Sequence, residues 1–426
     1  MRRLRKAGGL RRGRSAAGAV SGARLSPPVS PSDAGSGVER LIELPGMREV
    51  AGAGGRYLLR TVRFSLGHRQ GRVALGELLS LSSEAVAGLA GAAAFDIRQA
   101  VFLDTETSGL AGGAGTIVFL TGVGVFEGDA YVVRQYFARN PAEERAYLPD
   151  LARFIAEWGG LVTFNGRSFD WPLLRSRFML SGVLPPEGQF HIDLLHPARR
   201  LWRERLGACN FGNLEQRVLG YRRRGLDMPS WMIPGLWFDF ARGQGGVREM
   251  KGVLYHNLED VVSMVPLAHV IAATLAGEME PHPRDWPALA RVWQRSGQVQ
   301  RAEAAYRRAL DAPLPPLQRV QVMRALALLL KRDGRRDEAA VWWRALAELG
   351  TSEDVEALVE LAMYYEWHTG DLLQARARTQ EAVARVQMWP AGWRRDQALA
   401  ELEHRLQRLE GKLARNLGKR RGDVAK

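Results

Sequence analysis

The sequence predicts an α/β fold in which three antiparallel strands lead into parallel strands and helices, followed by an α-helical repeat domain. Three observations carry this. Apolar runs at 101–103, 115–126 and 130–138 are separated by short turns, the mark of antiparallel neighbours. From residue 141 onward, helical patterns alternate with short apolar runs at 161–164 and 189–192, as strands joined by crossover helices require. Beyond residue 285, Gly297, Gly334 and Gly370 each precede an alanine by five positions, at Ala302, Ala339 and Ala375, with intervals of 37 and 36 residues.

At 426 residues the chain exceeds one ordinary domain. Its 46% hydrophobic and 25% charged residues are usual for a globular protein. Sixty basic against 46 acidic side chains give a net charge of +14, which favours polyanions, nucleic acid above all. The single cysteine, Cys209, excludes an intramolecular disulfide and a cysteine-based zinc site, and it fits a reducing cytoplasm. No uninterrupted apolar run reaches the roughly 18 residues of a transmembrane helix, so no membrane partner is expected.

Residues 1–38 are Arg-rich with few large apolar side chains, and such a segment cannot bury enough surface to offset its ordering entropy. A disordered basic arm is expected there. A secretory signal is not, because charges continue where an apolar stretch should begin. Residues 39–95 read as a lead-in, with strand character at 56–64 and a short helix at 78–89. A central domain spans residues 96–278. Within it, a helix at 141–158 carries Pro141 at an allowed first-turn position, and a second helix runs over 171–180. Gly109, Gly112, Gly113 and Gly115 follow Thr107. They lead into a strand and no Lys follows them in phosphate-loop spacing, which excludes that loop. Tight hairpin geometry or close backbone approach accounts for them better.

His191, Asp193 and His196 form an H-x-D-x-x-H cluster, an incomplete ligand set for a metal. Asp193, at a strand end, is expected near the pocket. Arg199, Arg200, Arg203 and Arg205 share a helical stretch with Leu201, Trp202 and Leu206. That face reads equally as phosphate-binding or as simply solvated. Residues 222–224 are a second basic cluster. The aromatic run at 229–240 reads first as core and second as a base-stacking surface. Residues 278–287, EMEPHPRDWP, read as a linker. The helical domain occupies 285–417, closing with a helix at 393–417, and 418–426 form a basic tail.

The chemistry gathers at VFLDTET, residues 101–107. Residues two apart on a strand share a face, so Asp104 and Glu106 project together. Like charges so placed repel unless a cation or proton lies between them. Two later segments follow the same theme: NGRSFDWP with Asp170, and YHNLED with Asp260. In this order the three segments resemble the exonuclease motifs of the DnaQ-like, or DEDD, superfamily on a ribonuclease-H-like fold. NGRSFDWP is similar to the second motif of proofreading domains in family-B DNA polymerases. Together with HIDLLHPARRLW, residues 100–276 resemble bacterial ribonuclease-H-like proteins with a YprB-type predicted exonuclease domain. The glycine–alanine recurrence resembles tetratricopeptide repeats, at a slightly longer period than usual.

The resemblance implies that Asp104, Glu106, Asp170 and Asp260 hold two divalent ions, Mg²⁺ or Mn²⁺. It implies hydrolysis of single-stranded DNA or RNA from a 3′ end, with the helical repeats open to a protein partner. Hard oxygen donors suit such ions, and paired ions about 3.5–4 Å apart serve phosphodiester cleavage. Thr107, Asn165, Arg167 and Phe169 flank the first two acidic segments as candidate substrate contacts. Two residues qualify as general base. His256 stands four before Asp260, on the same helical face, and Tyr255 stands five before it. In the family, histidine members use the longer spacing and tyrosine members the shorter, so the subtype stays open while helical alignment favours His256. The rival readings are a nucleic-acid-binding scaffold with a vestigial site, and an interaction module acting through its repeats.

Overall fold

The computed structural model describes residues 41–90, 95–109, 115–225, 227–350 and 354–424. The expected basic arm, Gly112 and Gly113 lie outside them. Nine strands occur among the described residues: β1 (Met47–Gly52), β2 (Gly55–Ser65), β3 (Arg69–Gln70), β4 (Val73–Ala74), β5 (Ala100–Thr107), β6 (Val118–Glu127), β7 (Ala130–Phe137), β8 (Gly160–Thr163) and β9 (Phe190–Asp193). Seven form one sheet in the order β1-β2-β7-β6-β5-β8-β9, while β3 and β4 pair separately. β5, β6 and β7 are antiparallel, and β8 and β9 continue from β5 in parallel. This is the mixed sheet that the order of apolar runs predicts. The segment read as a lead-in does more than lead in: β2 pairs antiparallel with β7 along eight residues, and β1 pairs with β2, so it widens the sheet by two strands.

Helices cover both faces: α1 (Ser83–Ala90), α2 (Glu144–Ala156), α3 (Asp170–Leu180), α4 (Leu195–Leu206), α5 (Phe211–Leu214), α6 (Ile233–Ala241) and α7 (Val247–Ala276). Coverage on both sides explains why β6 is buried almost throughout and reads as a continuous rather than alternating apolar run. Successive β5 residues still part company. Val101 and Leu103 join the core beneath α2, α3 and α6, whereas Ala100 and Phe102 join the core beneath α1, α4 and the C-terminal half of α7. The same alternation sends Asp104 and Glu106 toward α7. By length and composition α7 could cross a membrane, but 83% of its most apolar window is buried within this protein. It lies directly on β6: a Cβ on Gly122 would sit 2.3 Å from Asn257 Oδ1, so glycine is needed for that approach.

The aromatic run divides by helical spacing. Ile233, Trp237 and Phe240 point inward from α6, and the Trp237 ring stacks on Phe119 with centroids 4.8 Å apart. Trp231, just before α6, stays 72% exposed.

Three helical hairpins follow: α8 (Trp286–Arg295) with α9 (Val299–Asp311), α10 (Pro316–Arg332) with α11 (Arg336–Glu348), and α12 (Asp354–Tyr364) with α13 (Leu372–Gln387). A long α14 (Trp393–Val424) closes the stack and runs into the segment read as a tail. Gly297, Gly334 and Gly370 each turn the chain within a hairpin at φ +77°, +82° and +74°, the left-handed conformation that ends helices. Ala302, Ala339 and Ala375 are buried in the second helices, where a small side chain lets neighbours approach. The 278–287 segment is a docked corner rather than a free linker. Asp285 is buried and accepts from Arg205 Nε at 2.7 Å, and Trp293 Nε1 donates to Leu275 O at 2.8 Å. Its prolines and charges disguise that packing in the sequence.

Candidate active site

In the β5–β6 register Asp104 lies opposite Gly122 and Glu106 opposite Leu120, with a slip between Glu106 and Thr107. Above this strand end α7 presents His256, Asn257 and Asp260. Asn257 is fully buried. Its Nδ2 donates to Asp104 Oδ2 at 2.9 Å and to Asp104 O at 3.2 Å. Its Oδ1 accepts from Gln135 Nε2 at 2.9 Å, and the same amide donates to Leu254 O at 2.7 Å. Asp104 therefore hangs from a buried amide relay that reaches back to β7. Asp170 opens α3 and accepts from Thr105 Oγ1 at 2.5 Å.

Glu106, His256 and Asp260 bring one ligand atom each to within 4.8 Å of the others, and His256 Nε2 lies 3.4 Å from Asp260 Oδ2. The acids feel one another. Burial, then the charges of Asp260, Glu106 and Asp170, push the Asp104 carboxyl well above its ordinary range. Burial raises Glu106 to about 8, with His256 opposing and Asp260 and Asp170 adding. Burial also lifts Asp170 to about 6 against its hydrogen bond from Thr105. For His256 burial works the other way, yet Asp227, Asp260 and Glu106 hold the ring protonated up to about 9. Such a cluster retains protons until a cation replaces them. Its carboxylate oxygens are a donor set that suits Mg²⁺ or Mn²⁺, with the His256 imidazole beside them.

Sequence reasoning missed five residues here: Asp227, Ser230, Arg223, Glu215 and Asn257. Asp227 Oδ1 lies 2.8 Å from His256 Nδ1 and so orients the ring, while Ser230 Oγ lies 3.2 Å from Nε2. Arg223, in the basic cluster at 222–224, turns inward. It donates to both oxygens of Glu215, at 2.9 Å and 3.0 Å, and to Asp260 Oδ1. Burial disfavours its charge, but Asp260 and Glu215 keep the guanidinium firmly protonated. Glu215 is itself buried, in a short π-helical turn over Glu215–Leu219, a device frequent near functional sites. Asn257 is the last of them, and only its place one residue after His256 hinted at a role.

The other named residues fall variously. Asn165 lines a cavity beside Asp104 and Asp260 and has a left-handed backbone, φ 66°. Asp193 accepts from the backbone N–H of Asn165, Arg167 and Leu195 at 2.8, 3.1 and 3.0 Å, so it organises the 165–167 turn. His191 bonds Thr163 Oγ1 at 2.9 Å, its pKa lowered to about 4 by burial, and His196 is exposed. The H-x-D-x-x-H residues thus do not gather as metal ligands. Arg167 donates its guanidinium to His191 O, and Thr107 Oγ1 donates to Gly109 O at 2.8 Å. Phe169 is 60% exposed. Tyr255 accepts from Arg224 N at 3.2 Å.

Comparison with known proteins bears on the family and fold of the chain. Residues 101–272 match a family model described as the RNase_H superfamily, a span that includes all four acids and His256. The chain is also similar to the uncharacterized protein YprB of Bacillus subtilis (strain 168). The two are 32% identical over 321 residues, covering 72% of this chain and 76% of that protein. That match is longer than the family-model segment, so it extends into the flanking regions.

Proposed function

This chain belongs to the RNase H superfamily, and from that premise we propose that it is a divalent-metal-dependent nuclease, a 3′–5′ exonuclease on single-stranded nucleic acid. The observation that carries the reading is the convergence of Asp104, Glu106, Asp170 and Asp260, where burial first and mutual repulsion second raise the Asp104 and Glu106 carboxyls. A purely structural role has no use for that repulsion. Asp104, Glu106, Asp170 and Asp260 would hold two ions. Bound there, the ions supply Lewis acidity toward the phosphodiester and the attacking water.

The chain's own residues do the rest. Asn257 fixes the Asp104 carboxylate, Thr105 fixes Asp170, and Arg223 orients Asp260. His256, with Nδ1 engaged by Asp227, offers Nε2 beside the acids; cations held by the acids would lower its pKa, and the neutral ring then takes the proton from water as general base. The exonuclease mode and the 3′–5′ polarity rest on the motif resemblance. The helical hairpins, read as tetratricopeptide-like, serve a protein partner, and the buried lone Cys209 suits a cytoplasmic protein.

One observation favours a second reading. Arg223 already neutralises Asp260, as it would in a nucleic-acid-binding scaffold that had lost its metals. A single assay separates the two: 3′- and 5′-labelled single-stranded DNA and RNA with Mg²⁺ or Mn²⁺. Cleavage from the 3′ end, abolished by EDTA and by Asp104→Asn, is expected. Full cleavage in EDTA sinks the metal mechanism, and no cleavage on any substrate supports the scaffold.

A further inference from the structure

A cavity of ≈ 740 Å³ opens beside the acids, and its walls carry opposite charges. Asp104 and Asp260 line it from β5 and α7. Arg199 and Arg203 line it from α4, four residues apart and therefore on one helical face. The four arginines of that helix have different fates. Arg205 is committed to buried Asp285, and Arg200 is exposed but does not line the cavity. Arg199 and Arg203 are exposed, and among the described residues neither side chain makes a hydrogen bond or ion pair. Their field still reaches Cys209, where it opposes the rise in thiol pKa caused by burial.

Two free guanidinium groups facing a carboxylate cluster, without bonding to it, suit a ligand that is itself anionic and spans both. A phosphodiester backbone is such a ligand: one phosphate meets the cations while its neighbour lies at the acids. Guanidinium groups also bind phosphate in a two-point fork. Phe164 and Phe211, with ring centroids 4.7 Å apart and planes tilted by 57°, line the same cavity, and either ring offers a base an apolar face to stack on. The basic excess of the chain points the same way.

We infer that Arg199 and Arg203 bind a backbone phosphate next to the scissile one, so that α4 sets the path of the strand into the acid cluster. The inference rests on the nuclease reading for the word scissile, but its test does not need turnover.

Binding of a fluorescein-labelled single-stranded oligonucleotide is followed by anisotropy over a salt series, with the full chain carrying Asp104→Asn and EDTA present. Arg199→Ala and Arg203→Ala should each weaken binding about tenfold, a charge-assisted contact, and lower the slope of log affinity against log salt by about one. Arg199→Lys should recover part of the affinity, and Arg200→Ala should change little. In the cleaving chain the alanine variants should raise KM more than they lower kcat. Equal effects of Arg200→Ala and Arg199→Ala, or an unchanged salt slope in the Arg199→Ala/Arg203→Ala double variant, overturn the subsite. Lost binding in a chain that never cleaves supports the subsite and overturns only the nuclease reading. The side chains are exposed and unbonded, so unchanged melting is the expected fold control.

Discussion

Asn257 grips Asp104 twice, through its carboxylate at 2.9 Å and its main-chain carbonyl at 3.2 Å. The grip locks the first acid to the helix that carries the last one, so strand and helix cannot shift without moving both. It also requires a bare backbone at Gly122, where any Cβ would collide with the Asn257 amide.

Asn257→Asp keeps the shape but sets a fourth carboxylate against Asp104, beside Glu106, Asp170 and Asp260, and strands its hydrogen bonds. Leaving buried polar groups unpaired costs about 1–3 kcal/mol, and activity should fall by orders of magnitude. Gly122→Ala should act through the same contact. Urea unfolding with nuclease assays checks both, and a fully active Gly122→Ala chain would mean that the amide grip is dispensable.

His256→Ala should lower turnover by about 10²–10⁴-fold, the usual contribution of a positioned base. Tyr255→Phe should be mild, since that hydroxyl is occupied with Arg224 N. Asp227→Asn retains a polar partner for the ring but removes its charge, so kcat should drop with little change in KM. Activity lost with Tyr255→Phe and kept with His256→Ala reverses the assignment.

Without metal, stability should decline as pH rises. Asp170, Glu106 and His256 have folded pKa values of about 6, 8 and 9, all above their ordinary values of 3.8, 4.5 and 6.5. Each binds its proton more tightly when folded. Its contribution is complete below the ordinary pKa and is lost as pH climbs through the folded one. The combined window runs from pH 3.8, the ordinary value of Asp170, to about pH 9, the folded value of His256. A divalent ion must displace these protons, so stabilisation by Mn²⁺ should grow over the same range. Melting curves in EDTA and in Mn²⁺ test this, and a melting temperature that rises with pH in EDTA contradicts it.

Ending the chain after Glu280 should destabilise what remains, although all four acids would be retained. Leu289, Ala290 and Trp293 share a core with α7, and each large side chain uncovered costs about 1.5–3 kcal/mol. Arg205 would also lose Asp285. Comparing the melting of truncated and full chains decides it; equal melting would show the corner to be ornamental.

Local patterns were legible in the sequence, and pairings across the chain were not. The runs around Val101, Phe119 and Val132 announce strands because burial on both faces demands continuous apolar residues. Gly297, Gly334 and Gly370 announce hairpins because few other residues adopt their backbone. Asp104 and Glu106 announce each other by strand alternation, as His256 and Asp260 do by helical spacing. No local period links Arg223 to Asp260, or Asp227 to His256, because loops separate them and only tertiary packing brings them together. The pairing of β2 with β7 was hidden for the same reason, since strand character does not name its neighbour.

Helix α4 faces two ways. Arg199 and Arg203 look into the cavity, while Glu204 bonds Arg291 of α8 and Gln318 of α10, and Arg205 bonds Asp285. The helical hairpins therefore grip the lever that carries the strand-binding cations. Any ligand that tilts α8 or α10 against α4 must alter the hold on a strand. By thermodynamic reciprocity, a bound strand must alter the hold on that ligand by the same factor. Measuring one affinity in the presence and absence of the other reads out this coupling, and it would make the hairpins a throttle on the catalytic half rather than a passive platform.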